Sequence, residues 1–156
     1  MIFHMRLDQI DKKLLNLLQR DSKQTTKSLA LQLNLSVTAV YERIKKLEKE
    51  KVITKFTALI DKKKIERSLI VFCNIRLEKH TKDYIAIFEK EINKLSEVVE
   101  CFHVSGEYDY ILKIYIKDME SYREFMVNKI TGLKHVGSTH SVFTIGEVKN
   151  STIIDL

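Results

Sequence analysis

Between Leu33 and Ile53 the chain reads LNLSVTAVYERIKKLEKEKVI, and its polar residues recur at a spacing suited to a polyanion. Ser36 can accept a hydrogen bond from an unpaired backbone N–H and so begin a helix. At about 100° per residue, Thr38, Glu42, Lys45, Lys46 and Lys49 then share one arc, while Val37, Val40, Ile44 and Leu47 share an apolar stripe. Hydrogen-bonding groups near a helix N-terminus, with cations further along, match base edges followed by phosphates. On that reading Ser36 starts the contact surface, Thr38, Tyr41, Glu42 and Arg43 read bases or groove edges, and Lys45, Lys46 and Lys49 hold phosphates. The bland alternative is a solvated charged face. A second cluster is VSGEYDY. Gly106 allows backbone conformations closed to other residues, so loop N–H groups could bind a carboxylate while Asp109 pairs with an ammonium, as a zwitterion requires. An ordinary hairpin turn with an exposed Asp fits the same residues, and the residues alone leave both readings open. Cys101 and His103, two apart on one strand, could form a nucleophile and base or a metal pair, with His135 and His140 nearby in sequence. No third ligand or orienting residue has diagnostic spacing, so a buried thiol and a satisfied histidine are expected, with no metal and no cofactor.

The arc of Thr38 to Lys49 needs a scaffold. In LDQIDKKLLNLLQRDS, Asp8 can cap a helix whose Ile10, Leu14, Leu17 and Leu18 lie on one face, with Asp11 favoured in the first turn by the helix dipole. Thr25 and Thr26 offer a cap for TKSLALQLN, where Leu29, Ala30 and Leu33 supply a buried stripe. Two short amphipathic helices joined by a brief turn, the second basic, make a helix-turn-helix, and the first helix completes its core. VITKFTALID alternates as one or two wing strands, from which Lys51 and Lys55 would reach phosphates.

Charge is divided to match. The chain carries a net charge of +6, yet residues 1–66 hold fifteen Lys and Arg against eight Asp and Glu, net +7, and the remainder holds twelve against thirteen, net −1. A basic segment joined to a near-neutral one suggests a polyanion-binding module coupled to something with another task. No apolar run approaches the roughly 20 residues that span a bilayer. The start MIFHMRLDQ has no hydrophobic signal core, and Met5 is a second candidate start. Isolated Cys73 and Cys101 suit a reducing compartment, so a cytoplasmic protein is expected.

The loop of Gly106 and Asp109 sits in a different architecture. Asp61–Glu66, DKKKIE, reads as a joint. From Leu69 the period becomes two: Leu69, Val71, Cys73, Ile75 and Leu77 form one apolar strand face. YIAIFEKEINKL gives a helix through Ile85, Phe88, Ile92 and Leu95. VVECFHVSG and YDYILKIYIK give two strands turning at Gly106-Glu107, with Tyr108 and Tyr110 on one face. Asp118 caps a second helix buried through Tyr122, Phe125, Met126 and Ile130, and VGSTHSVFTIGEVK gives a last long strand. The order β-α-β-β-α-β is that of a ferredoxin-like, split βαβ domain, so the expected fold is α+β. Its second sheet face is still fairly apolar, which a second copy of the chain would cover about a two-fold axis.

The quoted N-terminal stretches, with CFHVSGEYDYILKIYIKDMESYREF and the following EVK, resemble the Lrp/AsnC (feast/famine) family of transcriptional regulators over nearly the whole chain. The resemblance implies a winged helix-turn-helix DNA-binding domain over 1–60, a hinge over 61–67, an effector-sensing ferredoxin-like domain over 68–149 and a tail over 150–156. It further implies partners: double-stranded DNA, an amino-acid effector, and self-association as a homodimer and a ring of four dimers, an octamer. The effector lining it implies is Ser105, Gly106, Tyr108, Asp109, Thr139 and Ser141. Two motifs depart from the family's pattern. Ser36-Val37 stands where Ser-Pro is common, and Leu133-Lys134-His135-Val136 where Leu-Pro-Gly-Val is common. Some proteins resembling the family are sirohaem decarboxylases, with a site of His and Arg in the regulatory half, which is the enzyme alternative.

Overall fold

The computed structural model describes residues 6–156, so the MIFHM start and the choice between Met1 and Met5 lie outside the described residues. Two compact units divide the chain: one runs up to Leu59 and includes Lys149–Leu156, the other is Ile60–Val148.

In the first unit Asp8 caps α1 (Gln9–Arg20) reciprocally. The Asp11 N–H donates to Asp8 Oδ1 at 2.7 Å, and the Asp8 N–H donates to Asp11 Oδ2 at 3.2 Å. Thr25 caps α2 (Thr26–Leu33), which ends at Asn34 in the left-handed region. Ser36 Oγ accepts the Ala39 N–H at 3.1 Å and opens α3 (Val37–Lys49). Leu14, Leu15, Leu18, Leu29, Ala30, Val40 and Leu47 close the core. Val37, which periodicity places on that buried stripe, is 48% exposed. It is the first helical residue, and because side chains tilt toward a helix's N-terminus, its side chain leans past the end of α3 rather than into the core.

The expected wing strands form no ladder among the described residues. The Val52 and Ile53 N–H groups both return to the Leu47 carbonyl, and beyond them Phe56, Leu59 and Ile60 are exposed with no second strand among the described residues to pair with. The tail joins this unit through Gln19, whose Nε2 donates to the Ile154 carbonyl and whose Oε1 accepts the Ile154 N–H, both at 2.8 Å.

The second unit is a four-stranded antiparallel sheet, ordered β2-β3-β1-β4, from β1 (Leu69–Leu77), β2 (Val98–His103), β3 (Tyr110–Ile116) and β4 (Val136–Phe143). Val71, Cys73 and Ile75 of β1 pair with Ile114, Leu112 and Tyr110 of β3, so like faces meet. Phe88 and Ile92 of α4 (Lys82–Ile92), with Tyr122 and Phe125 of α5 (Met119–Phe125), cover that face. Asp118 caps α5, which runs into a π-helical turn, Met126–Ile130, that buries Ile130. The last strand stops at Phe143, short of the expected VGSTHSVFTIGEVK. Its final rung is Thr144 N–H to the Ile70 carbonyl at 3.1 Å, close to where β1 begins, so the ladder ends there, and Ile145 and Val148 stand fully exposed while Glu147 pairs with Lys62 at 2.7 Å. On the uncovered face Phe72, Ile111, Phe102 and Val142 lie on adjoining strands, with Asn74, Arg76, Lys113 and Glu100 among them.

Candidate nucleic-acid interface and effector loop

Capping and burial decide which side of α3 is offered to a partner. With Val40 and Leu47 in the core, Thr38, Tyr41, Glu42, Lys45, Lys46 and Lys49 are exposed, as are Ser36 before them and Lys51 and Lys55 after. Lys45 Nζ lies 3.0 Å from Glu48 Oε2 and 5.8 Å from the centre of the Tyr41 ring. Arg43 is placed otherwise. Its Nη1 lies 2.7 Å from Asp8 Oδ2 and 2.6 Å from Asp11 Oδ1, and the Asp11 side chain is only 6% exposed. The base-edge role expected of Arg43 thus meets a guanidinium already turned toward α1, because Asp11, buried by the α1 cap, needs a cation more than solvent does. The Asp11 backbone N–H, with Arg43 beside it, holds the Asp8 carboxyl below its ordinary value. No cluster of three His, Cys, Asp or Glu able to hold a metal ion occurs among the described residues.

The β2–β3 loop brings Ser105, Gly106, Tyr108 and Asp109 together. Gly106 adopts φ 135°, which side chains disfavour, and a Cβ there would meet nothing within 4 Å, so conformation rather than space calls for glycine. The loop is stitched to β1: the Asp109 N–H donates to the Ile75 carbonyl and the Val104 N–H to the Asp109 carbonyl, both at 2.8 Å. Asp109 Oδ2 accepts the Leu77 N–H at 2.7 Å, and its Oδ1 lies 2.6 Å from His80 Nε2. Tyr108 does not share the Tyr110 face. Tyr110 is buried under the helices, whereas the Tyr108 ring lies 5.7 Å from Arg76 Cζ and 6.0 Å from the His140 ring, both on the uncovered side. Regular pairing begins only at Tyr110, so the alternation of β3 does not extend back through Asp109.

Thr139 and Ser141 stand opposite Ile75 and Cys73, on the helix-covered face and with β1 between them and β3. Ser141 Oγ bonds to the Tyr122 hydroxyl at 2.5 Å, and burial pushes that hydroxyl up to about 12. The chain therefore gathers the loop residues and Asp109, and places Thr139 and Ser141 apart from Tyr108. Two residues at the loop escaped periodicity. Arg76 registers in the sequence only as a polar residue on β1, and His80 as part of a charged connection. His103, weighed for chemistry, stacks on Tyr110 with ring centres 4.6 Å apart, and Cys101, expected as a buried thiol, is exposed, because β2 is the edge strand of the sheet. His135 takes φ 73° where the family pattern has glycine, and its ring stacks on Tyr84 at 3.5 Å.

Two family models match the chain: a winged helix-turn-helix DNA-binding model over residues 7–54 and the Lrp/AsnC ligand binding domain over residues 70–154. The Bkd operon transcriptional regulator of Pseudomonas aeruginosa is 34% identical over 142 residues, 91% of this chain and 93% of that protein. The leucine-responsive regulatory protein of Escherichia coli K12 is 36% identical over 145 residues, 93% of this chain and 88% of that protein. A transcriptional regulator of Neisseria meningitidis, solved in complex with L-Met, aligns with a TM-score of 0.90 at 28% identity, covering 97% of this chain and 96% of that one.

Proposed function

The chain belongs to the Lrp/AsnC family of DNA-binding transcriptional regulators, and on that premise we propose that the exposed arc of α3 enters the major groove while the β2–β3 loop senses an amino acid. The relatives are regulators, so the decarboxylase alternative falls away. The observation that carries the DNA reading is the burial pattern of α3. Val40 and Leu47 are sealed in the core while Thr38, Tyr41, Glu42, Lys45, Lys46 and Lys49 face outward, with Ser36 at the helix start and Lys55 beyond it. Thr38, Tyr41 and Glu42 read bases, and Lys45, Lys46, Lys49 and Lys55 hold phosphates. Arg43 sets the helix in place from behind.

Two such helices in adjacent major grooves lie about 34 Å apart, a separation that a homodimer fixes. The uncovered apolar sheet face supports pairing with a second copy, and a ring of four such dimers is the higher assembly. The L-Met in the Neisseria regulator supports an amino acid as effector, bound at Ser105, Gly106, Tyr108 and Asp109, with Thr139 and Ser141 on β4, two strands from β3, assigned to the lining by the family resemblance. The effector shifts assembly or helix spacing by binding one state better than another. No helix among the described residues is long and apolar enough to cross a membrane, and a cytoplasmic location goes with this reading.

Binding of the full chain to the DNA upstream of its own gene, measured by anisotropy across salt concentrations, tests the interface. Lys46→Ala is expected to lower the slope of log affinity against log salt by about one per protomer engaged. An unchanged slope removes Lys46 from the phosphates.

A further inference from the structure

Arg76 leaves β1 on the uncovered face and reaches across to the β2–β3 loop. Its Nε and Nη2 both donate to the Glu107 carbonyl, at 2.9 and 2.6 Å, and its Cζ lies 5.7 Å from the centre of the Tyr108 ring. Two donors from one rigid fork fix the direction of that carbonyl more firmly than a single flexible donor does. No peptide bond among the described residues is cis. Across a planar trans peptide the N–H points opposite to the C=O, so the N–H of Tyr108 is turned away from Arg76. Among the described residues that N–H has no acceptor, and neither has the Gly106 N–H two residues earlier. Asp109, which follows directly, is held to β1 through its own N–H and through the Leu77 N–H on its carboxylate.

We propose that Arg76 is a positioning residue of the effector site: by holding the Glu107 carbonyl it presents the Tyr108 N–H as a donor to the carboxylate of a bound amino acid. The inference rests on the reading of the β2–β3 loop as the effector site and assigns the carboxylate and ammonium to different groups. Tyr108 N–H takes the carboxylate and Asp109 the ammonium. A backbone donor aimed before the ligand arrives costs nothing to reorganise on binding, and a hydrogen bond to a charged oxygen is among the stronger ones. Arg76 itself does not touch the ligand.

The test compares L-leucine and L-methionine with 3-(methylthio)propylamine, the amine that lacks the methionine carboxylate, by calorimetry on the full chain. Arg76→Met keeps the apolar stem and removes both donors. It is expected to weaken binding of the amino acids about ten-fold while leaving the amine unchanged. Arg76→Lys, with one flexible donor group, is expected to fall between. Asp109→Asn is expected to weaken all three probes. Sedimentation and DNA binding of the Arg76 variants without effector identify any that lose assembly, and in that case Arg76→Lys alone decides. Equal loss for the amine and the amino acids, or no loss for either, overturns the role of Arg76. Unchanged amino-acid binding in Asp109→Asn, or no binding of either amino acid by the unmodified chain, overturns the site reading itself and this inference with it.

Discussion

His80 Nε2 lies 2.6 Å from Asp109 Oδ1, so the carboxylate proposed to receive an effector's ammonium already has a partner in its own chain. The other oxygen is taken by the Leu77 N–H. An arriving ammonium must therefore share Oδ1 with the imidazole or displace it. His80 is well exposed, so the pair is a weak one, worth what surface pairs usually are. His80→Ala is expected to strengthen binding of L-leucine or L-methionine about two- to five-fold. Calorimetry of both proteins checks this, and equal affinities would show that the effector does not meet the Asp109–His80 pair.

Arg43 joins the recognition helix to the cap of α1. Its removal leaves Asp11 buried beside Asp8 without a cation. Arg43→Ala is expected to destabilise the first unit by about 2 kcal/mol or more, read as an earlier transition in thermal unfolding. The pH dependence carries a defined sign. The folded chain holds the Asp8 carboxyl below its unfolded value of about 3.9, through the Asp11 N–H and then Arg43. That stabilisation is present above the unfolded value and is lost as pH falls through the lower folded value. Melting followed from pH 5 down to pH 3 is expected to fall more steeply in the unmodified chain than in Arg43→Ala. Parallel curves would mean that the pair does not contribute in solution.

Val37 is the first residue of α3, half exposed, behind an extended Ser36 with φ −71° and ψ 153°. That backbone is the one a following proline requires, and the first helical N–H has no intrahelical acceptor to lose. Val37→Pro is expected to stabilise the first unit by about 0.4–1 kcal/mol, by restricting the unfolded chain. A lower melting temperature would show that Val37 makes packing contacts that its exposure conceals.

Much of the architecture is written locally. Asp8, Thr25, Ser36 and Asp118 each cap the helix their position in the sequence assigns to them, since a cap needs only a side-chain oxygen and the N–H three residues on. The alternation of Leu69 to Leu77 identifies the buried face of β1, and the order of strands and helices identifies the ferredoxin-like unit. The wing was not legible in the same way. VITKFTALID has a strand's alternation, yet alternation states only which residues could share a face, and a ladder needs a second strand, which the described residues do not supply.

What tertiary structure alone decided are the encounters between distant segments. Arg43 meets Asp8 across 35 positions and turns inward, Arg76 meets Glu107 across 31, and His80 meets Asp109 across 29. The end of β4 is set by where β1 begins, and the side on which Tyr108 falls by how the loop is tied to Ile75. The sequence by itself determined the elements, their caps and the division of charge, because these depend on neighbours within a turn or a pleat. Only the packed chain decided which polar groups meet a partner and which remain for DNA or an effector, because a buried carboxylate such as Asp11 takes whichever cation the fold brings within reach.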